Sequence, residues 1–254
     1  MKQYARIPHL PGSRGTPDDV QVTAAGGARF VGDGRDEGDA AAQAAAGIGP
    51  APRGERVLVT EKLDGSCVVI ARLDGQVTAL GREGRPCASS RNEGRRAFAA
   101  WVAAQPARWA ALREGERLIC EWLALAHGVR YQLPHEPAAL LDVYAHRRQL
   151  PLHEVHRRAR DLDLPTPALL HQGGPCAVSV ALAALGPRGH HGADEAEGVV
   201  YRLERVKDGA VLAQAKYVRP GFAPGRYLPD HTGQAAVWNQ WTGAWTLEQA
   251  LSAL

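Results

Sequence analysis

The chain has 254 residues, 45% of them hydrophobic and 22% charged, which is ordinary for a globular domain that buries a core in water. A formal net charge of +3 permits nucleic-acid binding without demanding it. No run approaches the roughly 18 apolar residues of a membrane span, and Met1 to Arg6 lacks an apolar stretch behind its basic residues. Neither a membrane anchor nor a secretory leader is therefore expected, and the reading is cytoplasmic. Cys67, Cys87, Cys120 and Cys176 are widely spaced, so reduced, packed thiols are expected rather than zinc or a disulfide framework.

Residues 1–20 are turn-rich, with Ile7-Pro8-His9-Leu10-Pro11-Gly12-Ser13 at their centre. Residues 24–55, full of Ala, Gly and Asp without aliphatic periodicity, read as a flexible surface insertion. Val57 to Thr60 reads as a buried strand. Cys67 to Leu73 and Gln76 to Gly81 read as two more strands, joined by the hairpin signal Asp74-Gly75. Ala97 to Trp109 has helical spacing. Leu118 to Leu123 and Leu140 to Tyr144 read as strands, and His153 to Leu162 and Val178 to Leu185 as helices. Glu197 to Leu203 and Ala210 to Val218 form a predicted hairpin around Asp208-Gly209, and Leu247 to Leu254 a closing helix. Trp238, Trp241 and Trp245 share one helical face and are expected in the core. Hairpins with interspersed helices predict an α+β fold.

The sharpest local feature is Glu61-Lys62-Leu63-Asp64-Gly65-Ser66. A lysine ends a hydrophobic strand and a glycine turn follows, so backbone can approach a phosphate beside an amine. Such an amine is a nucleophile only when neutral. Glu121 is a second anomaly: a carboxylate between Cys120 and Trp122 in an apolar strand calls for a partner.

K-x-D-G-S resembles the nucleotidyl-lysine motif of the covalent nucleotidyltransferases, which include DNA ligases, RNA ligases and mRNA capping enzymes. Four more segments resemble motifs of that superfamily in the same order. They are Leu118 to Leu123 with Glu121, Leu140 to Tyr144, Glu197-Gly198-Val199-Val200-Tyr201-Arg202, and Ala215-Lys216-Tyr217-Val218-Arg219. Ile7 to Pro11, Glu121 to Tyr131 and Ala215 to Arg219 resemble ATP-dependent RNA ligases of a bacterial group. About 35 residues follow Arg219, too few for an oligonucleotide-binding barrel. A single adenylyltransferase domain on antiparallel sheets, ATP-grasp-like in character, is the expected fold.

The resemblance implies an enzyme that loads AMP from ATP onto Lys62, passes it to a 5′-phosphate end, and seals that end to a 3′-hydroxyl. Asp64, Gly65 and Ser66 shape the lysine loop, Asp64 near the lysine or the ribose, and Glu61, Asp64 and Gly65 are counted among the nucleotide-binding residues. Glu121 takes the ribose, and Arg82 the ribose or the acceptor phosphate. Lys216 takes the α-phosphate, and Glu197 holds Mg2+ or Mn2+. The implied partners are RNA ends, a nicked duplex among them; no membrane is implied, and a monomer is expected. Two departures matter. Gln214 stands where many relatives have a second lysine, and Leu141 stands where an aromatic stacks on the purine. DNA-joining, GTP-using and non-catalytic relatives therefore remain open alternatives. Both hairpins are expected to close with two-residue turns, pairing Arg82 with Cys67 and Lys216 with Tyr201. The second pairing would set Glu197, Gln214 and Lys216 on one face.

Overall fold

A computed structural model describes residues 4–32 and 54–252 together with Leu254. In chain order the elements are α1 (Ala24–Val31), β1 (Glu55–Lys62), β2 (Ser66–Leu73), β3 (Gln76–Gly81), α2 (Glu93–Ala103) and α3 (Pro106–Trp109). There follow β4 (Glu116–Trp122), β5 (Gln132–Leu133), β6 (Ala138–Ala145), β7 (Arg148–Gln149), α4 (Leu152–Asp161) and β8 (Leu169–Gly173). The last are α5 (Val178–Leu185), β9 (Gly198–Arg205), β10 (Val211–Val218), α6 (Pro229–Thr232), β11 (Gln240–Trp241) and α7 (Leu247–Ser252). The chain is α+β and divides into two compact units. No described helix is long and apolar enough to cross a membrane.

One unit holds, of the described residues, those within 6–32, 54–63 and 167–224. Its antiparallel sheet runs β10-β9-β1-β8. Alternation sends Val57 and Val59 of β1, and Val199, Tyr201 and Leu203 of β9, to one face. There they pack with Phe30 of α1 and Ala181 and Leu185 of α5. The Phe30 and Tyr201 rings meet edge to face at 6.2 Å. Burying each such side chain contributes about 1.5–3 kcal/mol.

Part of the stretch read as an insertion is therefore a packed helix, α1, capped by Thr23 accepting from the Gly26 N–H. Its buried residues are Gly27 and Phe30, so it carries no aliphatic stripe for periodicity to detect. Residues 33–53, where the flexible-insertion reading otherwise falls, lie outside the described residues.

The N-terminal segment runs along the edge of this sheet. Lys216 donates its N–H to Pro8 O at 2.9 Å, and Leu10 donates to Lys216 O at 2.8 Å. His9 is thereby the parallel bridge partner of Lys216, and an edge that would otherwise invite pairing with another chain is covered.

The other unit holds, of the described residues, those within 4–5, 64–166 and 225–254. Its sheet runs β3-β2-β4-β6-β7. The β2–β3 hairpin closes on Leu73↔Gln76. Asp74 and Gly75 both have positive φ, 51° and 75°, the signature of a tight turn matched to strand twist. The predicted helix 97–109 is two helices, because Pro106 removes an N–H and disfavours helical backbone before it. Phe98, Trp101, Trp109, Trp122 and Trp245 pack with ring centroids 5.3–5.9 Å apart. Trp241 stacks on Trp245 at 5.9 Å, yet these residues lie on β11 and the turn after it. Of the three tryptophans expected in the core only Trp245 is buried; Trp238 and Trp241 are half-buried.

The cysteines are free thiols, three of them buried. Burial pushes the Cys87 and Cys176 thiols up to about 11, so both stay protonated and inert at neutral pH.

Candidate active site

The reactive face is built by strand register. β1 pairs with β9 so that Lys62 opposes Gly198, Thr60 opposes Val200 and Leu58 opposes Arg202. β10 pairs with β9 so that Lys216 opposes Val200 and Gln214 opposes Arg202. Directly opposed residues share a face. Lys62, Lys216, Gln214 and Arg202 therefore lie together on the side of the sheet away from the α1 and α5 core. Glu204 lies on that face too, wholly buried, with Arg56 Nη2 at 2.7 Å and Nε at 3.1 Å. The two hydrogen bonds from Arg56 give that buried side chain a paired partner.

This register corrects the expected one by a residue. Lys216 opposes Val200, and Ala215 opposes Tyr201. The turn at Asp208-Gly209 is not two-residue: Val206 to Ala210 connect the strands, and a bulge follows between Val211 and Ala213. Asp208 builds the longer loop by accepting the Ala210 N–H at 3.1 Å and pairing with Arg205 at 3.0 Å, a local alternative to the tight turn. Gln214 and Lys216 still share a face, since both move together. Glu197 precedes β9, so strand alternation does not place it.

Glu197 reaches the lysine nonetheless. Lys62 Nζ donates to Glu197 Oε2 at 2.6 Å, with the two side chains 21% and 10% exposed. The Glu197 carbonyl is held by the Arg219 N–H at 2.9 Å. The next residue has to be glycine: a Cβ on Gly198 would stand 1.9 Å from Tyr217 O. The β10 backbone approaches that closely, which brings Glu197 and Lys62 into reach of each other.

Lys216 is half-buried beside this pair. Burial, and then the Lys62 charge, lower its pKa below the ordinary lysine value, while Asp19 and Glu197 pull it back up. As pH rises, Lys216 therefore loses its charge earlier than a solvated lysine does. His9, bridged to Lys216, is 4% exposed. Its Nδ1 meets Ser13 Oγ at 2.7 Å and its Nε2 lies 3.6 Å from the Asp19 carboxylate. Burial and the Lys216 charge hold its pKa down. No spacing rule marked His9 or Asp19. Only the pairing of two segments some 200 residues apart sets them beside Lys216, although Ile7 to Pro11 carries part of the resemblance.

Glu61 is the main correction. Its partner on β9 is Val199, so it points to the opposite side of the strand from Lys62. It is 2% exposed and accepts the His190 N–H at 3.1 and 3.2 Å, with His190 Nδ1 at 3.2 Å. Burial raises its pKa against the opposing effects of His190. Glu61 thus clamps the loop before β9 instead of facing the lysine side of the sheet.

The remaining predicted residues belong to the other unit. Gly65 donates its N–H to Glu121 Oε1 at 3.0 Å, which supplies the anomalous strand carboxylate with a partner. A Cβ on Gly65 would lie 2.5 Å from Trp122 O, so the loop lies against β4 only as glycine. Asp64 Oδ2 accepts from Gly128 at 2.5 Å and Val129 at 3.1 Å, and the Asp64 N–H donates to Tyr131 Oη at 3.0 Å. It organises the 127–131 turn. Arg82 follows the last β2–β3 pair, Val68↔Gly81, in keeping with the expected register; its side chain pairs with Glu83 at 3.3 Å. The structure thus gathers Lys62, Glu197 and Lys216 in one unit and Gly65 and Glu121 in the other. It gives Glu61, Asp64 and Arg82 other partners. Among the described residues no three His, Cys, Asp or Glu side chains cluster as a metal site.

Comparison with solved structures finds a Naegleria gruberi RNA ligase variant with ATP and Mn at 18% identity and a TM-score of 0.49, covering 76% of this chain and 54% of that one. An archaeal ATP-dependent RNA ligase matches at 20% identity and a TM-score of 0.41, covering 70% of this chain and 45% of that one. The chain spans about half the length of these proteins. Comparison with curated proteins gives no match. The family model for RNA ligase, however, matches residues 55–218, from the first residue of β1 to the last of β10, and with more than half of the sequence inside that match the chain belongs to the RNA ligase family.

Proposed function

We propose that the protein is an ATP-dependent RNA ligase that carries AMP on Lys62 between its half-reactions. The observation that carries this reading is the 2.6 Å contact of Lys62 with Glu197, on the sheet that also turns Lys216 and Gln214 to the lysine's side. In the loading step the Lys62 Nζ lone pair forms a bond to the α-phosphorus of ATP. The bond from that phosphorus to the bridging oxygen breaks, and pyrophosphate leaves with the electron pair. A protonated Lys62 has no lone pair, so the amine attacks after its proton has gone to solvent. Lys216 neutralises charge at the α-phosphate. The AMP then passes to a 5′-phosphate, and a 3′-hydroxyl displaces it.

A lone carboxylate suits a divalent cation shared with nucleotide phosphates better than an all-protein cage. Glu197 would hold such an ion, Mg2+ or Mn2+, and when bound the ion neutralises phosphate charge. Glu121 and Arg82 keep the ribose and acceptor-phosphate roles that the resemblance implies, and Gly65 shapes the lysine loop. Glu61 and Asp64 act by holding the segments that carry His190 and Gly128.

The test is incubation with α-labelled ATP and Mg2+ or Mn2+, followed by a denaturing gel and by sealing of 5′-phosphorylated RNA. Metal-dependent covalent label from ATP and joined RNA are expected. Label from GTP alone, or joining of DNA only, overturns the reading.

Gln214 gives a sharper expectation. It shares the lysine face but supplies no charge, so the triphosphate lacks a cation there. Gln214→Lys should speed loading at limiting ATP. A unit charge some 8–15 Å away at an effective dielectric of 20 is worth about 1–2 kcal/mol, or roughly 5- to 30-fold, shrinking as salt rises. Sealing of a pre-adenylylated strand, which holds no triphosphate, should gain much less. Equal gains in both assays, or none in loading, would show that position 214 does not serve the phosphates.

A further inference from the structure

Beside the loop that Asp64 organises, a half-buried tyrosine carries two arginines. The Arg226 guanidinium carbon lies 4.8 Å from the Tyr227 ring centroid, and that of Arg130 lies 5.2 Å from it. Both arginines are exposed and Tyr227 is half-buried. The platform is fixed from beneath. Tyr227 donates its N–H to His127 O at 2.8 Å, His127 Nε2 meets Ser66 Oγ at 3.4 Å, and the Gly128 and Val129 N–H groups next to Arg130 end on Asp64. Arg130 and Tyr227 are thus tied to both Asp64 and Ser66 of the K-x-D-G-S motif.

Each guanidinium gains from the ring face, but two like charges on one ring repel, and an arriving polyanion relieves that repulsion. A guanidinium matches a phosphate bidentately, and a tyrosine or guanidinium plane stacks on an unpaired base whatever its identity. We propose that Arg130, Tyr227 and Arg226 form a docking surface for a single-stranded RNA end, with the arginines on backbone phosphates and Tyr227 under a base. The proposal rests on the ligase reading for the identity of its partner.

The measurement is fluorescence anisotropy of a labelled, 5′-phosphorylated single-stranded oligoribonucleotide across a salt series, with AMP loading of the same samples followed in parallel. Arg130→Ala and Arg226→Ala should each weaken binding about 5- to 10-fold at low salt. Each should also flatten the slope of log affinity against log salt by about 0.7, one single-strand phosphate contact. Tyr227→Phe should bind as wild type, and Tyr227→Leu about 10-fold more weakly. A double arginine variant with wild-type affinity and slope overturns the surface. So does a wild-type protein that loads AMP but does not bind the strand, or one that binds polyglutamate equally well through the same arginines. An RNA affinity that depends on the three residues in a protein that never loads AMP upholds the surface while sinking the ligase reading.

Discussion

Lys62→Ala should take up no label from α-labelled ATP, a loss of at least about 10⁴-fold, because alanine supplies no nucleophile in place of the amine. Alanine alone leaves an ambiguity. It would remove the proposed nucleophile and also an ion-pair partner that lies 2.6 Å from the Glu197 carboxylate, so the protein would also lose stability. Lys62→Arg separates the two effects. The guanidinium keeps a positive charge for Glu197 but does not deprotonate in a protein, so the variant should unfold near the wild-type temperature and still take up no label. Sealing of a pre-adenylylated strand bypasses the lysine, so both variants should retain it far better than overall ligation from ATP. Label on Lys62→Arg at the wild-type rate would mean that the nucleotide is carried elsewhere.

Glu197→Gln should slow loading about 10²- to 10³-fold, the range for losing one charge-stabilising group at a phosphoryl or acyl centre. The amide keeps the shape of the side chain and loses its charge, so a divalent ion loses its ligand. The Mg2+ or Mn2+ concentration giving half-maximal loading should rise in the same variant, and Glu197→Ala should behave similarly. The ion pair makes the opposite result informative. If Glu197 served only to hold Lys62 as an ammonium, Glu197→Gln would release the amine and loading would rise at low metal. Faster loading with an unchanged metal requirement would therefore assign Glu197 to restraint of the lysine and remove it from the metal.

Strands β1 to β4, β6, β9 and β10, helices α2, α4, α5 and α7, the lysine motif and its four companion segments were legible in the sequence, because each is a local pattern, whereas β8 of the site sheet and the short β5, β7, β11 and α6 were not. Alternation, helical spacing and turn chemistry act within a few residues. The Asp74-Gly75 turn shows why that suffices: two residues with positive φ complete the hairpin, and the register out to Gly81 follows. The same dipeptide at Asp208-Gly209 shows where it ends. There the Asp208 side chain and a bulge extend the connection, and the register of Lys216 slips by one residue. Alternation by itself puts Glu61 and Lys62 on opposite faces of β1. Which face is covered by α1 and α5, and which presents the lysine, depends on what packs against the sheet. Helix α1 was hidden because Gly27 and Phe30 bury it without an aliphatic stripe. His9 meets Lys216, and Arg130 meets Tyr227, through contacts that no local spacing encodes. Tertiary structure decided those pairings, because the free energy that selects them comes from burial and hydrogen bonds between segments distant in sequence.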